Sequence, residues 1–99
     1  MMLLTKKNRK DLPKLYTTEK QGGDAVAVVK FFTPYSNWTW YATEFDGEDT
    51  FFGLVVGLFT ELGYFSLSEL EGARGPMGLK VERDRYFSPK KLAALRGLK

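Results

Sequence analysis

At 99 residues the chain has room for one compact domain, residues 1–99, and its 43% hydrophobic content supplies material for a core. It contains neither cysteine nor histidine, which excludes disulfides, thiolate nucleophiles, Cys- or His-ligated metal centres and the commonest general base near neutral pH. The net charge of +3 hides a segregation: residues 1–20 hold six Lys/Arg against two Asp/Glu, residues 21–71 one against eight, and residues 72–99 eight against two. Basic ends suit a nucleic-acid partner, but they equally suit packing against the acidic middle.

In chain order, Thr5 caps a short helix that runs through Asp11 and ends before Pro13, because a residue ahead of proline avoids the helical region. The opening stretch MMLLTKKNRKDLPK has lysines but no apolar run ahead of a cleavage site, so no signal peptide is expected. EKQGGD forms a loop, and AVAVVKFF, residues 25–32, is β-branched and aromatic and predicts a strand. WTWYATEF, residues 38–45, alternates: Trp38, Trp40 and Ala42 share one face, Thr39, Tyr41 and Thr43 the other. An Asp-Gly turn at 46–49 leads into TFFGLVVGLF, residues 50–59, TELG turns again, and YFSL makes a fourth strand. FFGLVVGLF is less than half a membrane span, so a soluble cytoplasmic protein without membrane contact is expected.

Ser66 and Glu69 predict a capped helical turn ending at Gly72. GARGPMG follows as an irregular loop, and LKVERDRYF, residues 79–87, as a strand or extended arm. SPKKLAALRG gives a last helix, with Ser88 as N-cap, Pro89 in the first helical position and Gly97 at the stop. These elements make an α+β fold: a mainly antiparallel sheet of four or five strands, with short helices at the N-terminus, after the fourth strand and at the C-terminus.

Four stretches bear on function. Gly53 and Gly57 lie four apart on one strand face, where indole rings from the neighbouring strand can lie over bare backbone. Trp38 and Trp40 are therefore either core rings over those gaps or the lining of a groove. EFDGEDT concentrates carboxylates, yet lacks the calcium-loop spacing, and a hairpin turn accounts for it. GARGPMG matches neither a phosphate-binding loop nor a dinucleotide fingerprint, and its GxxG lacks the two helices of a KH domain; Arg74 at its tip is a candidate contact. VERDRYFSPKK is the best contact surface. Arg83 and Arg85 fall on one face, Lys90 and Lys91 in the first turn of the last helix, where the dipole disfavours cations, with Tyr86 beside them. Such a set is either a solvated helix face or a grip for phosphates or an acidic protein patch.

The stretches LLTKKNRKDLPKLYTTE, VKFFTPYSNWTWYATEFD, FFGLVVGLFTELGYFSLSEL and RGPMGLKVERDRYFSPKKL, in this order, resemble a family of small bacterial proteins of unknown function carried on plasmids, phages and integrative elements. The lysine- and leucine-rich tail after Pro89 departs from that pattern. The family brings no catalytic residues. The resemblance implies an accessory protein of mobile DNA, and hence an inhibitor that blocks a host defence complex, of the anti-CRISPR or anti-restriction type, by protein–protein contact. The partner would be a host or element-encoded complex. The alternative is a small nucleic-acid-binding accessory protein using Arg83, Arg85, Lys90 and Lys91 with an aromatic ring. Neither needs a catalytic residue, a cofactor or a metal.

Overall fold

The computed structural model describes residues 3–96, less the side chains of residues 19, 20 and 96. Helix α1 covers Lys6–Asp11. Thr5 caps it through a reciprocal box in which the Thr5 hydroxyl accepts the Asn8 N–H while the Asn8 side chain accepts that of Thr5. Strands follow as β1 (Val26–Ala27), β2 (Val29–Phe32), β3 (Thr39–Phe45), β4 (Thr50–Val56) and β5 (Thr60–Ser66), then helix α2 (Leu67–Gly72), β6 (Glu82–Arg83), β7 (Lys90–Lys91) and helix α3 (Leu92–Arg96). Five strands form one antiparallel sheet in the order β5-β4-β3-β2-β6, and β1 pairs with β7 as a separate ladder. The α+β class is the one the sequence predicts, and the sheet has the upper of the four or five strands expected.

Each sheet face carries its own apolar cluster. On one face Phe51 is the hub, with ring centroids 5.4 Å from Phe31, 4.5 Å from Phe45 and 5.1 Å from Phe65. Leu3, Leu4 and Leu12 from the N-terminal segment and Leu67 and Leu70 from α2 close this cluster. On the other face Leu92 and Leu95 of α3, with Ala25 and Ala27, cover Leu54. Complete burial of a side chain such as Phe51 or Leu54 stabilises the fold by about 1.5–3 kcal/mol.

The alternation of β3 breaks after Ala42. Ala42 pairs with Gly53 but Glu44 pairs with Phe52, so Thr43 is the extra residue of a β-bulge. Strict alternation would point Glu44 into the phenylalanine cluster. Instead Phe45 takes that place, and Glu44 is buried elsewhere, its carboxylate accepting the N–H groups of Tyr16 (2.9 Å) and Thr18 (2.7 Å) and the Thr18 hydroxyl. The bulge draws the opposite strand close: a Cβ on Gly53 would sit 1.8 Å from the Tyr41 carbonyl oxygen.

Three expectations need correction. The strand expected at 25–32 is two, because Val28 leaves the first pairing and donates its N–H to the Ala42 carbonyl at 2.8 Å. TELG is not a turn but the start of β5; the chain turns at 57–59 instead. Lys90 and Lys91 are not in a helix but form β7, paired with Ala27 and Val26. The reason is twofold. The Leu92 N–H, first in α3, donates to the Ala25 carbonyl at 2.9 Å, so the helix start is satisfied from β1's side. The extended backbone also moves both lysines out of the positive end of the helix. The expected stop at Gly97 lies outside the described residues.

The acidic turn holds itself together. One Asp46 carboxylate oxygen accepts the N–H groups of Glu48, Asp49 and Thr50 at 2.8–3.0 Å, and Asp49 accepts the hydroxyls of Ser66 and Ser68 and the Ser68 N–H. Both carboxyls are held below their ordinary values, Asp46 chiefly by the Glu48 N–H and Asp49 chiefly by the Ser66 hydroxyl. Their contribution to stability is complete above the unfolded carboxyl value, about 3.9, and is lost as pH falls through the depressed folded values. Asp46→Ala combined with Asp49→Ala should therefore lower Tm at neutral pH and flatten its fall below about pH 4, read by thermal unfolding across an acid series. Gly53→Ala should cost about 3 kcal/mol in urea unfolding. Gly63→Ala, where a Cβ meets nothing within 4 Å, should stay within about 0.5 kcal/mol of the parent or gain on it.

Candidate binding groove

The β2–β3 turn, residues 33–38, and the β4–β5 turn, residues 57–59, lie at the same end of the sheet. The first is tied by the Thr33 N–H to the Trp38 carbonyl (3.0 Å) and by the paired hydroxyls of Thr33 and Ser36. The second closes through the Gly57 N–H to the Phe59 carbonyl (3.0 Å). Between them, floored by Lys30, Phe32, Thr39, Tyr41 and Val56, lies an open groove of about 890 Å³. Its walls carry exposed apolar groups: Trp38 is 41% exposed, Phe59 76% and Leu58 87%.

Gly57 sets the position of Trp38. A Cβ there would fall 2.4 Å from the indole, so only glycine lets the ring lie flat on the turn. Trp38 stacks on Trp40 with centroids 6.0 Å apart and planes 26° from parallel. Trp40, half-buried, packs on the phenylalanine cluster. The two rings thus divide the alternatives, Trp40 belonging to the core and Trp38 to the groove. Gly53 carries no indole; its missing Cβ serves the bulge.

A second hollow of about 270 Å³ adjoins the groove, sharing Lys30 and Phe32 with it and adding Arg83, Asp84, Arg85 and Tyr86. The expected strand at 79–87 extends only over Glu82–Arg83. A turn then brings the Phe87 N–H to the Asp84 carbonyl (3.3 Å), and Tyr86 stands 93% exposed. Lys30 has Asp84 at 3.7 Å and the Tyr41 ring centroid at 5.8 Å, while the Arg83 guanidinium donates to the Leu3 carbonyl at 2.9 Å. Arg85 is exposed.

The other sequence-predicted contacts lie elsewhere. Arg74 lines neither hollow and folds back on α2, donating to the carbonyls of Glu71 (2.6 Å) and Ala73 (2.9 Å). Lys91 sits 3.6 Å from Asp24, and Lys90 lies 5.1 Å over Phe87, whose ring contacts Tyr41. Sequence reasoning missed Lys30, Phe32, Leu58 and Phe59. Lys30 was findable as the single cation of residues 21–71, on the same strand face as Phe32. Among the described residues no group of carboxylates could hold a metal ion, and no helix is long and apolar enough to cross a membrane.

The sequence model of a family described as "Protein of unknown function (DUF2958)" matches residues 3–95. The chain belongs to that family. The match takes in the tail beyond Pro89 as far as Leu95. No curated protein and no solved structure is detectably similar to it.

If Trp38 is the groove ring, iodide should quench most of its emission and leave that of Trp40. Trp38→Phe should then remove the quenchable component, and Gly57→Ala, which pushes the indole off the turn, should increase the quenching measured by emission titration.

Proposed function

We propose that this DUF2958 protein is a non-enzymatic binding protein of a mobile genetic element, and that its groove holds a single-stranded stretch of nucleic acid. The observation that carries the proposal is the adjacency of an exposed indole and phenyl ring to Lys30 and Arg85, in two neighbouring hollows that share Lys30 and Phe32. Every base offers a face to stack on, and the backbone offers phosphates to cations, so aromatic rings interleaved with Lys and Arg suit single strands of any sequence. The groove is open rather than enclosed by a lid, which fits a polymer passing through.

A second reading has its own support. Leu58 and Phe59 expose aliphatic and aromatic surface at the tip of the β4–β5 turn, as a protein interface does at its centre. In that reading the protein blocks a host defence complex by direct contact, and the turn is its anchor.

A labelled single-stranded oligonucleotide titrated at several salt concentrations separates the two. Two cations, Lys30 and Arg85, neutralising two phosphates give a slope of log K against log salt of about −1.4, and Arg85→Ala should flatten it by about 0.7. Trp38→Ala should weaken binding roughly tenfold through loss of a stacked base. No binding at low salt, together with a discrete protein captured from host lysate after nuclease treatment, would transfer the proposal to the protein-contact reading.

A further inference from the structure

On the same sheet face as the groove, but at the opposite end and beyond α3, a separate hollow of about 270 Å³ opens between β5 and the 16–18 loop. Its walls are Tyr16, Phe52, Leu62, Tyr64 and Leu92, and Glu44 lines it. The Phe52 and Tyr64 rings meet edge to face at 4.9 Å. Both tyrosines stand exposed at the rim, whereas Glu44 is 3% exposed.

The hydrogen bonds of Glu44 tether the 16–18 loop but bring it no countercharge. Its three donors are two backbone N–H groups and one neutral hydroxyl. Among the described residues, none of the ion pairs includes it. A buried carboxylate without a countercharge is costly, and a cation delivered to it recovers part of that cost. The hollow's walls are of the kind that receives one: rings present their negative faces to an ammonium, and the apolar remainder suits a hydrocarbon stem.

We infer that this hollow binds a primary ammonium on an aliphatic stem, with Glu44 as its countercharge and the rings of Tyr16, Phe52 and Tyr64 as its walls. The size agrees, since 270 Å³ is below the usual range for drug-sized ligands, about 300–1,000 Å³, and suits a single chain. The donor pattern agrees too. One carboxylate oxygen already takes two donors and the other takes one. Of about four lone-pair positions one remains, enough for an ammonium N–H but not for the paired donors of a guanidinium. A lysine side chain of a partner and a free diamine share this chemistry. The site does not depend on the groove or on what the groove holds.

The test is an NMR titration of the full chain with N-acetyl-lysine methylamide, with putrescine, and with the neutral Nε-acetylated form of the first. The inference expects saturable shifts at Tyr16, Thr18, Thr43, Leu62 and Leu92 with an amine, and binding of the acetylated form at least about tenfold weaker. Whichever amine saturates at lower concentration assigns the source. Glu44→Gln should weaken the amine about tenfold. Because that change also touches the 16–18 loop, Tyr64→Leu at the rim, which leaves the hydrogen bonds of Glu44 in place, serves as the second variant and should weaken it roughly threefold. The inference is overturned if neither amine gives a saturable shift, if the acetylated form binds as well, or if both variants bind like the parent.

Discussion

The bulge at Thr43 and the bare backbone of Gly53 opposite it form one constraint on which much of the structure rests. A seven-residue strand carrying Trp40, Ala42, Glu44 and Phe45 cannot satisfy both faces by simple alternation. Either a carboxylate enters the phenylalanine cluster or the strand inserts a residue. The insertion brings the Tyr41 carbonyl to within 1.8 Å of where a Cβ on Gly53 would stand, so the bulge and the glycine require each other. From this one irregularity come the placement of Phe45 beside Phe51, the tethering of residues 16–18 by Glu44, and the position of Glu44 in the wall of the hollow beside β5.

Charge is arranged more locally than the net value implies. Arg9 of the basic helix α1 reaches the Gly47 carbonyl at 3.4 Å and lies 5.4 Å over Phe45, so part of the basic N-terminus does rest against the acidic turn. Lys30 and Lys91 each have an aspartate within 4 Å. The exposed pair at Lys91 is worth little energetically, and the half-buried one at Lys30 is long, at 3.7 Å. They matter here because they leave Arg85 as the most available cation beside the groove, next to an exposed tyrosine.

Local chemistry was legible in the sequence; long-range pairing was not. Thr5 and Ser66 read correctly as helix caps because capping is decided within four residues. The stacking of a tryptophan over Gly57 was readable from strand alternation, and so was the central meander. Lys90 and Lys91 misled because Ser-Pro is a sound helix start and nothing nearby announces the competing partner, Val26–Ala27. The bulge was equally silent, since only the depth of the phenylalanine cluster makes Glu44 unacceptable there. Of the groove, Trp38, Arg83, Arg85 and Tyr86 were visible as residue types that bind. The meeting of Trp38 with Phe59 depends on two turns at one sheet end, and the placing of Arg85 and Tyr86 beside Lys30 depends on β6 pairing with β2.

The β1–β7 ladder has a consequence for how the chain reaches its fold. The β3–β4–β5 meander joins neighbours in sequence through short turns, so its loop closure is cheap and its pairing can form early. The ladder instead joins residues 26–27 to residues 90–91 through only two residue pairs. Such a contact gains little until the sheet beneath it exists. It is therefore placed to form last and open first, carrying α3 with it and uncovering Leu54. The segment thus behaves as a flap hinged on a standing sheet: a short ladder of two residue pairs whose release need not disturb the five strands beneath it.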